Sequence, residues 1–162
     1  MVAANLTRNT FLNNSAQFGG GLLANYSLII ITASNFTGNK ATVDGGGALV
    51  FGSQLSMNTS TMVENTAGGR AGGLWINIYT ETSYVFTANE WRGNMGTEGS
   101  AIYVNTRPAS VGFPILPPTK RSVTTDPFTI TDSIFTSNTA TITAAVHADL
   151  GIYDFYFVNN TA

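Results

Sequence analysis

The sequence predicts an all-β chain wound into a single-stranded parallel β-helix, a solenoid of about six coils. Three observations predict it. First, one pattern recurs: an apolar residue, two variable residues, Asn, one variable residue, then Ala or Gly. It occurs at Phe11/Asn14/Ala16, Phe36/Asn39/Ala41, Met62/Asn65/Ala67, Trp91/Asn94/Gly96, Phe135/Asn138/Ala140 and Phe157/Asn160/Ala162. Its apolar positions lie 25, 26, 29, 44 and 22 residues apart, and a period of that size marks a repeat architecture. Second, a Gly-rich strand signal follows most copies: Gly19-Gly20-Gly21-Leu22, Gly45-Gly46-Gly47-Ala48-Leu49, Gly72-Gly73-Leu74 and Gly99-Ser100-Ala101-Ile102. Third, Gly, Thr, Asn, Ser and β-branched residues dominate, and the apolar runs are strand-sized, which disfavours helices.

Taken in order, the strands expected are Leu22–Asn25, Leu28–Thr32, Ala48–Phe51, Leu74–Tyr79, Tyr84–Thr87, Ala101–Val104, Phe128–Thr131, Ala144–Ala148 and Ile152–Phe157. Each column of the repeat then has a physical task. Phe11, Phe36, Met62, Trp91, Phe135 and Phe157 stack inward, coil on coil, about 4.8 Å apart. Asn14, Asn39, Asn65, Asn94, Asn138 and Asn160 sit at a turn, where Asn tolerates left-handed backbone and its amide bonds the next coil as a ladder. The Ala/Gly column leaves no room for a larger side chain. The glycines give a sharp bend and close backbone approach before the next strand.

One β-helix domain spans residues 1–162, and it is interrupted once. Residues 105–127 hold all five prolines, Pro108, Pro114, Pro117, Pro118 and Pro127. Proline cannot donate to a ladder, so this segment is expected to leave the helix as a loop. It carries Arg107, Lys120 and Arg121; it reads either as a contact loop or as a tolerated surface insertion. Ala3-Ala4-Asn5-Leu6-Thr7 resembles Leu23-Ala24-Asn25-Tyr26-Ser27, the middle of a coil, while the chain stops at the end of the repeat pattern. Neither end shows a polar cap, which a free solenoid needs. The expected partner is therefore the chain itself, stacked head to tail, or flanking β-helix coils of the same protein, in a fragment or repeat unit of a longer assembly.

Composition narrows the function classes. Charged residues are only 10% and the net charge is −2, so no basic field exists for nucleic acid. No apolar run approaches the roughly 18 residues that a membrane helix requires, and no insertion is expected. The first residues show no basic-then-apolar pattern of a signal peptide. Cysteine is absent, which removes disulfides and thiolate metal sites. Asn-x-Ser/Thr sequons stand at Asn5, Asn13, Asn25, Asn35, Asn58 and Asn159. Of 16 Asn, none of the six repeat Asn is a sequon, whereas six of the other ten are. The split suits buried repeat Asn and exposed sequon Asn, and it predicts an extracellular or cell-surface glycoprotein.

Catalytic residues, cofactors and metals are not expected. Polysaccharide-cleaving sites need clustered carboxylates. Asp44 and Glu98 both precede a Gly-rich strand but one coil separates them, with Ala71 placed between. His147 and Asp149 share a strand face and read as a surface pair. Trp75, Tyr79, Tyr103, Tyr153 and Tyr156 would form a sugar-binding face only if they pointed outward.

The paired signals Phe-x-x-Asn and Gly-Gly-Ala-Leu resemble the repeats of chlamydial polymorphic outer-membrane proteins and related pectin-lyase-like β-helices, with Gly46-Gly47-Ala48-Leu49 matching outright. The resemblance covers most of the chain outside 105–127. It implies a right-handed β-helix exposed at a cell surface and often adhesive. Within these 162 residues no segment is expected to form the membrane barrel of those proteins. The same repeats occur in surface proteins of algae and other protists, which suits the sequons better. The expected function is a non-enzymatic structural module of a cell surface, as a fibre subunit or a segment of a larger protein. An adhesin or carbohydrate-binding module, with glycans as partners, is the first alternative, and a polysaccharide lyase or hydrolase the second.

Overall fold

The computed structural model describes residues 2–78, 84–105, 128–143, 145–149 and 155–158; for Val2, Asp149 and 155–158 it describes the backbone alone. Tyr79, Tyr153, Asn159, Asn160 and all of the Pro-rich segment except Asn105 lie outside the described residues, as does the Phe157 side chain.

The described strands form four stacked sheets, each entirely parallel. The first side is six-stranded: β1 (Val2–Thr7), β5 (Ser27–Thr32), β9 (Gln54–Asn58), β13 (Tyr84–Thr87), β16 (Phe128–Thr131) and β19 (Phe155–Val158). The second holds β2 (Thr10–Leu12), β6 (Asn35–Thr37), β10 (Thr61–Val63), β14 (Glu90–Arg92) and β17 (Ile134–Thr136). The third holds the two-residue strands β3 (Ser15–Ala16), β7 (Lys40–Ala41) and β11 (Thr66–Ala67). The fourth holds β4 (Leu22–Asn25), β8 (Ala48–Phe51), β12 (Leu74–Asn77), β15 (Ile102–Asn105) and β18 (Val146–Asp149). The chain visits the four sides in turn and each strand pairs with its counterpart one coil away, which is a β-solenoid.

The coil count differs from expectation. Three coils have a named strand on every side. In the next two the third side shrinks to single bridges at Met95 and Thr139, and among the described residues only β19 represents the sixth. Complete turns among the described residues therefore number about four rather than six. The start of the chain also sits in a different register. Asn5 aligns with Ile30, not with Asn25, because β1 pairs β5 from Val2↔Ser27 to Thr7↔Thr32. That pairing turns Ala4 and Leu6 toward the core beside Ile29 and Ile31, which the alternative would not.

Period-2 alternation sorts the side chains. Ile29, Ile31, Leu55, Met57, Tyr84, Phe86, Phe128 and Ile130 fill the interior from the first side. Phe11, Phe36, Met62, Trp91 and Phe135 fill it from the second, in register. Rings meet at the stack's ends: Phe11 and Phe36 lie 4.4 Å apart at 8°, and Trp91 and Phe135 lie 4.8 Å apart at 3°. The residue count per coil varies, yet this column stays aligned, since extra residues are taken up between strands.

Candidate functional site

The corners of the solenoid carry its specificity. Asn39, Asn65 and Asn94 are fully buried. The backbone N–H and the side-chain amide of Asn39 both donate to Asn65 Oδ1, at 2.9 and 3.0 Å. Asn65 donates in the same way to Asn94 Oδ1, and Asn94 to Asn138 Oδ1. Asn14 starts the series by donating to Asn39 Oδ1. The second amide hydrogen turns back: Asn39, Asn65, Asn94 and Asn138 donate to the carbonyls of Phe11, Phe36, Met62 and Trp91 at 2.8–2.9 Å. Asn39, Asn65 and Asn94 thus each weld their own coil to the one on either side.

The left-handed backbone lies one residue earlier than expected. Asn13, Gly38, Glu64, Gly93 and Ser137 have φ between 54° and 63°; the ladder Asn do not. The bend reorients the following N–H away from the strand ladder, and the neighbouring Asn oxygen receives it.

A second ladder of the same design escaped the sequence reading. Arg8, Ala33, Thr59, Ala88 and Asp132 also have positive φ, and each precedes Asn9, Ser34, Ser60, Asn89 or Ser133. The N–H of Asn9 donates to Ser34 Oγ, Ser34 to Ser60 Oγ, Ser60 to Asn89 Oδ1 and Asn89 to Ser133 Oγ, at 2.9–3.2 Å. The signal was available: every member lies five positions before a ladder Asn. Mixed Ser and Asn identities hid it.

The sequon residues fall elsewhere. Asn5, Asn13, Asn25 and Asn35 are exposed, and Asn58 is half-buried. Asn35 accepts a hydrogen bond from Thr61 on the next coil, and Asn5 from its own sequon Thr7.

The densest chemistry lies outside the fourth side. Leu49, Trp75, Tyr103 and His147 follow one another in register on β8, β12, β15 and β18. Trp75 and Tyr103 stack 6.5 Å apart at 5°, and Tyr103 and His147 5.0 Å apart at 4°. This column points away from the core, yet Trp75 is only 2% and Tyr103 only 4% exposed. With Phe51 and Ala71 they form a second apolar cluster, so these two rings offer no open sugar platform.

Arg70 spans that cluster. Its guanidinium carbon lies 5.8 Å from the Trp75 ring centre and 5.2 Å from that of Tyr103, within cation–π range. The same group grips Asp44 at 2.7 Å, and the Arg70 backbone N–H donates to Asp44 Oδ1 at 2.7 Å. Burial works to lower the Arg70 pKa; the Asp44 carboxylate and Tyr103 outweigh it and hold the guanidinium above its ordinary value. This corrects the placement of Ala71 between Asp44 and Glu98. Gly45 N–H donates to Arg70 O and Ala71 N–H to Glu98 O, so Arg70 stands in that column. Asp44 is committed to a cation rather than facing a second acid.

His147 accompanies Tyr103, with Nδ1 3.2 Å from Thr143 Oγ1. Asp149 follows on the same strand, opposite Asn105. Among the described residues no group of three His, Cys, Asp or Glu could hold a metal ion. No family model, no curated protein and no solved structure matches the chain.

Proposed function

We propose that the chain is a non-enzymatic structural module of an extracellular surface protein, a β-solenoid segment whose open face is completed by another coil. The pectin-lyase-like and chlamydial-type repeat resemblance belongs to this proposal, as does the right-handed winding. The observation that carries it is the uncovered face of the coil built from β1 to β4. Phe11 stacks on Phe36 on one face and is half-exposed on the other, and Asn14 is an exposed ladder member with a neighbour on one side only. The edges of β1 and β2 are of the kind that pair readily. The second coil shows what would fit there, since Phe36 and Asn39 are in full contact on both faces. The partner is a flanking coil or a second copy of the chain. The exposed sequons Asn13, Asn25 and Asn35 support a secretory origin.

The test adds one coil. A copy of residues 27–52 placed directly ahead of Val2 keeps the register, since Val2 aligns with Ser27. Nearest-neighbour stacking predicts a higher urea midpoint for the extended chain. An unchanged or lower midpoint overturns the proposal. Made in a eukaryotic secretory pathway, the chain should lose mass on removal of N-glycans, and an unmodified mass removes the extracellular reading.

A further inference from the structure

We infer that the outward face of the six-stranded side is a binding surface for the lattice of ice. The inference is independent of the proposed stacking, and it rests on two in-register rows. One runs Thr7, Thr32, Asn58, Thr87 and Thr131; the other runs Asn5, Ile30, Ser56, Val85 and Thr129. Every one of these side chains is exposed or half-buried, while its strand neighbours Leu6, Ile31, Met57, Phe86 and Ile130 turn into the core.

The chemistry of the rows is uniform. They offer hydroxyls, amides and methyls, and no charge. Charged side chains among the described residues gather elsewhere. Glu90 and Arg92 pair on β14 of the second side, Lys40 is on the third, and Asp44 and Arg70 lie outside the fourth. Arg8 and Asp132 border the face only at its corners. A charged group orders water about itself in its own geometry. A charge-free array of hydroxyls and methyls leaves water free to adopt a lattice, and an uncharged lattice is what it complements.

Regularity is the second requirement. Coils repeat at about 4.8 Å, and alternate residues along a strand at roughly 6.6 Å, so the two rows form a two-dimensional grid. Threonine is stiff at χ1, which fixes hydroxyl and methyl positions at four of the five sites of the first row. The Ser34–Ser60–Asn89–Ser133 ladder lies two residues beyond that row and holds its coils in register.

Other occupants fit less well. A polysaccharide platform would use aromatic rings; in the sixth coil the rows continue in backbone register to Tyr156 and Val158, and across the five coils whose side chains are described neither row holds an aromatic residue. Association with a second copy through this face would need a broad apolar patch. Among the described side chains of this face, Ile30 and Val85, each 38% exposed, are the only exposed large apolar residues. The sequons Asn5 and Asn58 lie on the face, so the inference requires these two to stay unmodified even where the exposed Asn13, Asn25 and Asn35 carry glycans. A glycan found on Asn5 or Asn58 of the secreted chain overturns it, and the binding experiment uses glycan-free protein.

The full chain, made in bacteria, is cooled with a single ice crystal and the gap between melting and freezing points is read. Wild type should open a gap and shape the crystal. Thr87→Lys should abolish it, as should Ser56→Lys, each with a circular-dichroism spectrum and urea midpoint like wild type. Thr136→Lys, outward on β17 of the second side, should keep the gap. Folded wild type that opens no gap overturns the inference. So does equal loss with Thr136→Lys, retention of the gap in both face variants, pelleting of wild type with crystalline cellulose, or a wild-type dimer that Ser56→Lys dissociates.

Discussion

Asn65→Ala tests whether the buried amide ladder holds the coils together. Asn65 accepts from the Asn39 backbone N–H and side chain at 2.9 and 3.0 Å, and donates to Phe36 O and Asn94 Oδ1 at 2.9 and 3.1 Å. Alanine orphans two buried groups, the Asn39 N–H and one Asn39 amide hydrogen; the Phe36 carbonyl keeps its strand-ladder partner on β10. Asn94 Oδ1 keeps the Asn65 backbone N–H. Each orphan costs about 1–3 kcal/mol, and water entering the vacated space recovers part of the total. The expected loss is ~4 kcal/mol. Asn14→Ala is the matched control. Asn14 is exposed and gives up only its amide bond to Asn39, so its cost should stay below about 1 kcal/mol.

Urea titration followed by tryptophan fluorescence and circular dichroism reads both, provided the two transitions coincide. With an m-value of about 2 kcal/mol per molar, Asn65→Ala should lower the midpoint by ~2 M. Asn65→Asp separates hydrogen bonding from packing. It fills the same space and keeps both accepted bonds, but sets an oxygen against Phe36 O and Asn94 Oδ1. It should be destabilised as well. Equal small shifts for Asn65→Ala and Asn14→Ala, or a wild-type midpoint for Asn65→Asp, would refute the ladder as a source of stability.

Two further outcomes follow from close contacts. Gly46→Ala should cost at least about 3 kcal/mol, since its Cβ would lie 2.4 Å from the backbone oxygens of both Gly72 and Thr66; Gly93→Asn, in a column that already holds Asn13, Glu64 and Ser137, should stay within about 1 kcal/mol, and the two urea midpoints compare them. Arg70→Met should lower stability by about 3 kcal/mol, because it leaves the buried Asp44 carboxylate without its cation; adding Asp44→Asn should recover much of the melting temperature, and no recovery would show that Arg70 acts through the Trp75 and Tyr103 rings instead.

The strands legible in the sequence were those with an apolar signal of their own. Each of the nine expected strands falls on one of β4, β5, β8, β12, β13, β15, β16, β18 and β19. The strands missed lack that signal. Gln54–Asn58 holds only Leu55 and Met57 as apolar residues, and β1 turns Ala4 and Leu6 inward between Asn and Ala. The two- and three-residue strands exist because a neighbouring coil pairs with them, which makes them a property of the stack rather than of the local sequence. The Asn14–Asn138 column was legible because one residue type repeats. The Ser34 column was not, because Ser and Asn both place an oxygen on the neighbouring N–H. The Arg70–Asp44 column was within reach of the sequence, since the step of 26 residues from Asn39 to Asn65 also carries Asp44 onto Arg70. Placing Ala71 there was a slip of one residue, and the ion pair itself emerges only when the coils stack.

Two kinds of column thus share the labour in this solenoid. At the corners, a left-handed residue followed by Asn or Ser fixes the direction of the chain and satisfies an N–H that the strand ladder cannot reach. Between corners, inward positions need only be apolar and of compatible volume, as the Phe36, Met62 and Trp91 succession shows. Outward positions of the first two sides carry less structural duty than the fourth side's Leu49, Trp75 and Tyr103, which pack in a cluster of their own. An unconstrained surface position would be expected to collect charges, and on the second side Glu90 and Arg92 occupy such positions. The two rows of the six-stranded side collect none across five coils. Charged residues are only 10% of the chain, so ten such positions would hold about one by composition alone; what sets these rows apart is the register of their threonines, and that is what the Thr87→Lys and Ser56→Lys variants test.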